Sequence, residues 1–122
     1  HALENNIHAG VKYLHHLKTQ YFDHHAIARE DRLFLTLAAY NAGPDRIMKM
    51  RRITRENGEN PNKWFFNVEK TAAQMIGKEV VEYVADVYKY FIAYQLQADL
   101  IKNRRPRYKA FIAGDYEYRL RK

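Results

Sequence analysis

From Leu33 to Tyr40 the chain is apolar almost all round, interrupted only at Thr36. A helix without a polar face has to be covered on most sides. It runs straight into Asn41-Ala42-Gly43-Pro44. Gly43 suits a helix stop that other residues resist, and Pro44 suits the first turn of a new helix. These residues predict a sharp corner between a buried helix and a short one ending near Arg51. Such a corner needs further helices around it, so the expected architecture is all-α.

The flanking segments supply those helices. Ile7, Val11, Leu14, Leu17 and Tyr21 recur at spacings of three and four, one apolar stripe behind a cap at Asn5 or Asn6. Gly10 interrupts the stripe at a cost of about 1 kcal/mol against alanine, which predicts the close approach of another backbone. Asp23 to Asp31 is polar and reads as a connector. Thr54 to Asn62 contains Asn57-Gly58 and Asn60-Pro61, both turn pairs. Trp64, Phe65, Val68, Ala72 and Met75 predict a helix that Gly77 breaks. Val80, Val84, Val87 and Phe91 form one row from there on, with Val81, Tyr88, Ile92 and Gln95 beside it. That pattern predicts a helix over Lys78–Ala98, about 30 Å long at 1.5 Å per residue.

Charge separates a body from a tail. Residues 100–122 hold eight Lys or Arg against two acids, whereas residues 1–99 hold thirteen against twelve. The expected division is therefore a helical domain over 1–99 and a basic C-terminal tail over 100–122. The tail is either simply solvated or a contact for an anionic surface. No apolar run approaches the length of a membrane span. There is no cysteine, so disulfide and thiolate chemistry are excluded, while the compartment stays open. The chain has no initial methionine and starts close to a helix, so it is expected to begin inside something larger. Helices lying upstream would then leave the Leu33–Tyr40 helix with exposed apolar surface, or paired with another chain.

The candidate chemistry gathers at the corner. A buried helix there delivers Tyr40 and Asn41 to its C-terminal mouth, among small residues that let a ligand approach. An amide can donate and accept, which suits a sugar acetamido or hydroxyl group. The same residues equally make an ordinary helix end. His15-His16 and His24-His25 are candidate metal ligands by type, but no metal-site pattern accompanies them, and surface histidines are the default. Trp64, Phe65 and Phe66 are either sugar platforms or core, with core expected for at least two of the three.

Ala39-Tyr40-Asn41-Ala42-Gly43-Pro44 resembles a motif of the lytic murein transglycosylases, related in fold to goose-type lysozymes. Three more segments agree in order. Asn6-Ile7-His8-Ala9-Gly10-Val11-Lys12-Tyr13-Leu14 is similar to the family's Asn-Ile-x-x-Gly-x-x-Tyr-Leu helix. Pro61-Asn62-Lys63-Trp64-Phe65 with Asn67-Val68-Glu69 resembles a segment of the branch that carries an N-terminal solute-binding-like domain. Glu79-Val80-Val81-Glu82-Tyr83-Val84 resembles Glu-Thr-x-x-Tyr-Val, with Val80 in place of Thr.

The resemblance implies the C-terminal part of a lysozyme-like helical domain acting on peptidoglycan glycan strands, in the periplasm or cell envelope, the outer membrane included. It implies cleavage of the MurNAc–GlcNAc bond. One Glu protonates the leaving oxygen, then takes the proton of the MurNAc 6-hydroxyl as that oxygen attacks the anomeric carbon. The product is a 1,6-anhydro sugar. This single-carboxyl scheme departs from the two-carboxylate one, and it needs an apolar pocket that keeps the acid protonated. Tyr40, Asn41 and Tyr83 carry over as substrate-binding residues. The family's acid lies in a Glu-Ser motif followed by Gly-Leu-Met-Gln, and neither occurs here. No catalytic residue is therefore assigned, and the acid is expected upstream; Glu79 and Glu82 read as solvent-facing helix charges. No cofactor and no metal are implied. A non-catalytic peptidoglycan-binding module of the same fold is the alternative. Nucleic acid is not expected, because the cations of residues 1–99 are balanced by acids.

Overall fold

The computed structural model describes residues 2–102. Helix α1 spans Ala2–Leu17 and continues into a π-helical turn at Lys18–Phe22. Helix α2 follows over Arg29–Ala42, α3 over Pro44–Glu56, α4 over Glu69–Met75 and α5 over Lys78–Ile101. A second wide turn, Trp64–Val68, leads into α4. Among the described residues there is no strand, and no helix is long and apolar enough to cross a membrane. Contacts divide the chain into two units, His1–Val84 and Ala85–Lys122. In the second unit, the α5 residues Tyr90, Tyr94, Leu100 and Ile101 are exposed.

In the first unit the core is built around α2. Phe34 through Ala39 are all buried. The neighbours that cover them are chiefly α3 and α1, with the π-helical turn Lys18–Phe22. The apolar surface that this helix exposes is confined to its two ends, Leu33 and Tyr40. Phe22, Ile27, Ile47, Met50 and Trp64 are themselves buried and complete the packing. Helix α1 exposes apolar surface as well. Val11 belongs to the predicted stripe, yet it is 59% exposed, while Leu17 further along is buried.

Polar groups fix how the segments meet. α2 starts at Arg29, earlier than the apolar run suggests, with Glu30 and Asp31 in its first turn, where carboxylates favour the helix dipole. Arg32 holds the preceding connector. Its guanidinium donates to the Ile27 carbonyl at 2.9 Å, the His24 carbonyl at 2.8 Å and Asp23 Oδ1 at 3.0 Å. α3 runs to Glu56 instead of ending near Arg51, because Thr54 is buried one turn later. The Thr54 hydroxyl bonds the Met50 carbonyl and, at 2.7 Å, the hydroxyl of Thr71 in α4.

The segment after α3 is less regular than its pattern predicts. The Val68 N–H donates to the Lys63 carbonyl at 3.1 Å, five residues back. Inside this turn Phe66 has φ +64°, a conformation that bulky side chains rarely adopt. Side chains compensate. Glu69 Oε1 accepts the Phe66 N–H at 3.1 Å, and Asn67 Nδ2 donates to the Phe65 carbonyl at 3.0 Å. Asp31 Oδ1 accepts the Trp64 N–H at 3.0 Å, which ties the turn to α2.

Candidate functional site

Gly43 makes the corner that the sequence predicts. Its φ of +99° and ψ of 140° belong to glycine alone. Its N–H caps α2 through the Ala39 carbonyl at 2.8 Å, and its carbonyl accepts the Ile47 N–H of α3 at 3.3 Å. Pro44 occupies the first turn of α3. The two helices are therefore separated by a single non-helical residue. Burial ends at Ala39, and Tyr40 and Asn41 emerge at the mouth of α2, both exposed.

Two further tyrosines stand beside Tyr40. The Tyr13 ring on α1 lies 5.9 Å from the Tyr40 ring, tilted by 52°, within the favourable range for aromatic pairs. Tyr83, half-buried on α5, sits close enough to interact electrostatically with Tyr40. Burial pushes the Tyr83 phenol above its ordinary value, and Tyr40 adds to the shift. Among the described residues, no hydrogen bond engages the side chains of Tyr40, Asn41 or Tyr83.

Gly10 belongs to the same cluster. The expected close approach comes from a side chain, not a backbone. The Tyr40 hydroxyl lies 3.7 Å from where a Cβ on Gly10 would stand. The helix pattern could not show this, since Gly10 and Tyr40 meet only in the folded chain. Tyr13 was also not singled out for the site. The available signal was its place in the motif, one turn after Gly10.

The other candidates fall elsewhere. Glu79 and Glu82 are exposed on α5, without the apolar enclosure that a proton-donating carboxyl needs. Asp31 and Glu69 are half-buried and are used by backbone N–H groups. Trp64 is fully buried, and Phe65 packs edge-on against Phe34 at 4.8 Å, so both serve the core. Phe66 alone of the three aromatics is presented, at 78% exposure. The rings of His24 and His25 stack at 4.4 Å, and His24 Nδ1 accepts the Ala26 N–H at 3.1 Å. Among the described residues no three His, Cys, Asp or Glu side chains cluster as metal ligands.

The profile of the transglycosylase SLT domain matches residues 3–63, half of the chain, including the α2–α3 corner. The chain belongs to this family. It is also similar to membrane-bound lytic murein transglycosylase F of Histophilus somni strain 2336, at 32% identity over 120 residues, covering 87% of this chain and 24% of that protein. The protein of the same name from Actinobacillus pleuropneumoniae serotype 5b is 32% identical over 104 residues, covering 74% of this chain and 21% of the relative. The one from Histophilus somni strain 129Pt is 44% identical over 61 residues, covering 50% and 12%. The chain thus spans about a quarter or less of the length of these curated relatives. No solved structure matches it.

Proposed function

We propose that this SLT-family chain forms one wall of a peptidoglycan-cleaving cleft, with Tyr40, Asn41 and Tyr83 binding the glycan strand. The observation that carries the reading is the α2–α3 corner. It ends burial at Ala39 and presents Tyr40 and Asn41 with their bonding groups unused. The Asn41 amide suits an acetamido group, which offers one donor and one acceptor. The Tyr40 ring, supported by Tyr13, suits the apolar face of a sugar.

In this proposal the general acid comes from outside residues 1–122, from a Glu-Ser segment preceding α1. That Glu protonates the glycosidic oxygen and then accepts the proton of the MurNAc 6-hydroxyl. The 6-oxygen closes on the anomeric carbon, giving a 1,6-anhydro product without water. The wall holds the sugar in place for that closure. An envelope location belongs to the same reading, with the basic residues of 100–122, which from 103 on lie outside the described residues, as a contact for an anionic surface. The relatives' names, membrane-bound murein transglycosylases, support it.

Murein digestion followed by mass spectrometry tests this function. The chain alone is expected to release no muropeptide, and 1,6-anhydro products from it would overturn the assignment of the acid. In the full-length protein, Asn41→Ala and Tyr83→Phe are expected to slow release by roughly tenfold or more, about 1.4 kcal/mol of transition-state stabilisation. Release at unchanged rates, with unchanged circular dichroism, would remove both residues from the cleft.

A further inference from the structure

One face of α3 carries four cations and a single acid. Lys49, Arg51, Arg52 and Arg55 line an open depression of about 450 Å³ together with Asp45 and Met48. Positions 45, 48, 52 and 55 fall on one stripe of the helix. Ion pairs do occur among the described residues, at Arg32–Asp23 and Lys70–Glu59. None of the described carboxylates pairs with a cation of this stripe.

Arg51 is the fixed member of the group. Its Nε donates to the Pro61 carbonyl at 2.9 Å, and its Nη2 donates to Asn62 Oδ1 at 2.8 Å. Its guanidinium lies 5.8 Å from the centre of the buried Phe22 ring. All these partners are neutral. Of its five N–H groups, two serve the Pro61 and Asn62 oxygens and a third rests on the Met48 sulfur at 3.7 Å. Its neighbours in the depression include the cations Lys49, Arg52 and Arg55. Burial and the adjacent Arg55 both press on the Arg51 charge, a stress that an anion would relieve.

The depression has a direction. Asp45 stands in the first turn of α3. Arg52 and Arg55 follow seven and ten residues on, about 10 and 15 Å along the axis at 1.5 Å per residue. Met48, 38% exposed, lies between them. Asp45 with Lys49 one turn on, an apolar middle at Met48 beside Arg51, and a doubly positive end at Arg52 and Arg55 match a ligand with one ammonium, aliphatic groups and several carboxylates. Arginine pairs give planar carboxylates two parallel hydrogen bonds, the strongest such contact at a surface. A phosphate polymer or an anionic headgroup without an ammonium would leave Asp45 without a partner.

We propose that the α3 depression binds an acidic peptide, its ammonium toward Asp45 and its carboxylates toward Arg52 and Arg55. This rests on the murein reading of the Tyr40–Asn41 wall and deepens it. α3 starts from the very corner that forms the wall, so a peptide substituent of the bound glycan strand, its N-terminus held as an amide, can run along it with a side-chain ammonium toward Asp45.

Calorimetric titration of the whole chain tests the site with four probes. These are a murein tetrapeptide freed of sugar, the same peptide with its carboxylates amidated, a peptide-free glycan oligomer, and vesicles containing phosphatidylglycerol. The tetrapeptide is expected to bind, more weakly as salt rises, and the amidated form to lose that binding. The double variant Arg52→Gln/Arg55→Gln should weaken the tetrapeptide roughly tenfold or more and leave the glycan oligomer unaffected. Both side chains are exposed, so the fold should persist, and unchanged circular dichroism checks it. As a second variant, Asp45→Asn should weaken the tetrapeptide but not its N-acetylated form lacking ammonium groups. Undiminished tetrapeptide binding in the double variant would overturn the proposal, because the intact basic tail would then account for it. Equal binding of the amidated peptide, or displacement of the tetrapeptide by vesicles, would overturn it too. Glycan binding without tetrapeptide binding sinks this site alone. Arginine-dependent tetrapeptide binding without glycan binding sinks the murein cleft and supports the peptide site.

Discussion

The hydroxyl of Tyr40 stands 3.7 Å from the position a Cβ on Gly10 would take, an ordinary van der Waals separation. Alanine therefore fits at Gly10 without moving Tyr40, and it removes the conformational cost of glycine within α1. Gly10→Ala is expected to raise stability by about 0.8–1 kcal/mol, read as a melting temperature several degrees higher. Gly10→Val adds methyl groups beyond the Cβ, toward a ring backed by Tyr13. It should keep the helix and lose glycan affinity. A destabilised Gly10→Ala variant would show that the contact is closer than it stands here.

The hydroxyls of Thr54 and Thr71 meet at 2.7 Å in full burial. The single proton of Thr54 goes to the Met50 carbonyl, so Thr71 is the donor between the two. Thr54→Val leaves the Thr71 hydroxyl without its acceptor and is expected to cost about 1–3 kcal/mol. Adding Thr71→Val should recover part of that loss, since no orphan hydroxyl remains. Denaturant midpoints of the two single variants and the double variant give the coupling directly. Simple additivity would contradict the assignment.

Tyr83 gives a signature in alkali. Burial first, and Tyr40 second, raise its folded-state value above that of an ordinary tyrosine phenol. The folded chain therefore keeps this proton where the unfolded chain would release it. The stabilising contribution is fully present below about pH 10 and is lost as pH rises through the folded value. Tyr83→Phe should remove one phenolate transition that lies above the ordinary tyrosine range in an absorbance titration. It should also make stability fall less steeply in that pH range. An unaltered titration curve would place another tyrosine in that role.

Parts of the fold were legible because a single residue type decides them. Gly43 and Pro44 mark the corner in the sequence and make it in the structure. The rows from Val80 onward predicted a helix over Lys78–Ala98, and α5 extends it only to Ile101. The wide turn at Trp64–Val68 left no such mark. Its apolar spacing looks helical, and the left-handed Phe66 is held by Glu69, a contact that periodicity cannot reveal. Arg51 was hidden for the same reason. In sequence it is one charge in a basic run, and its acceptors lie ten and eleven residues away across a turn. Tyr40 and Asn41 were found through their motif; the neighbouring Tyr13 and Gly10 gained their place from the packing of α1 on α2.

The most direct test of the account is an NMR titration of this chain with a peptide-free GlcNAc–MurNAc oligomer. The account predicts that the resonances of Tyr40, Asn41 and Tyr83 shift together, and that Asn41→Ala weakens binding roughly tenfold or more. Shifts confined to other surfaces, or equal affinity in the Asn41→Ala variant, would contradict the claim that the α2–α3 corner is the wall of a glycan cleft.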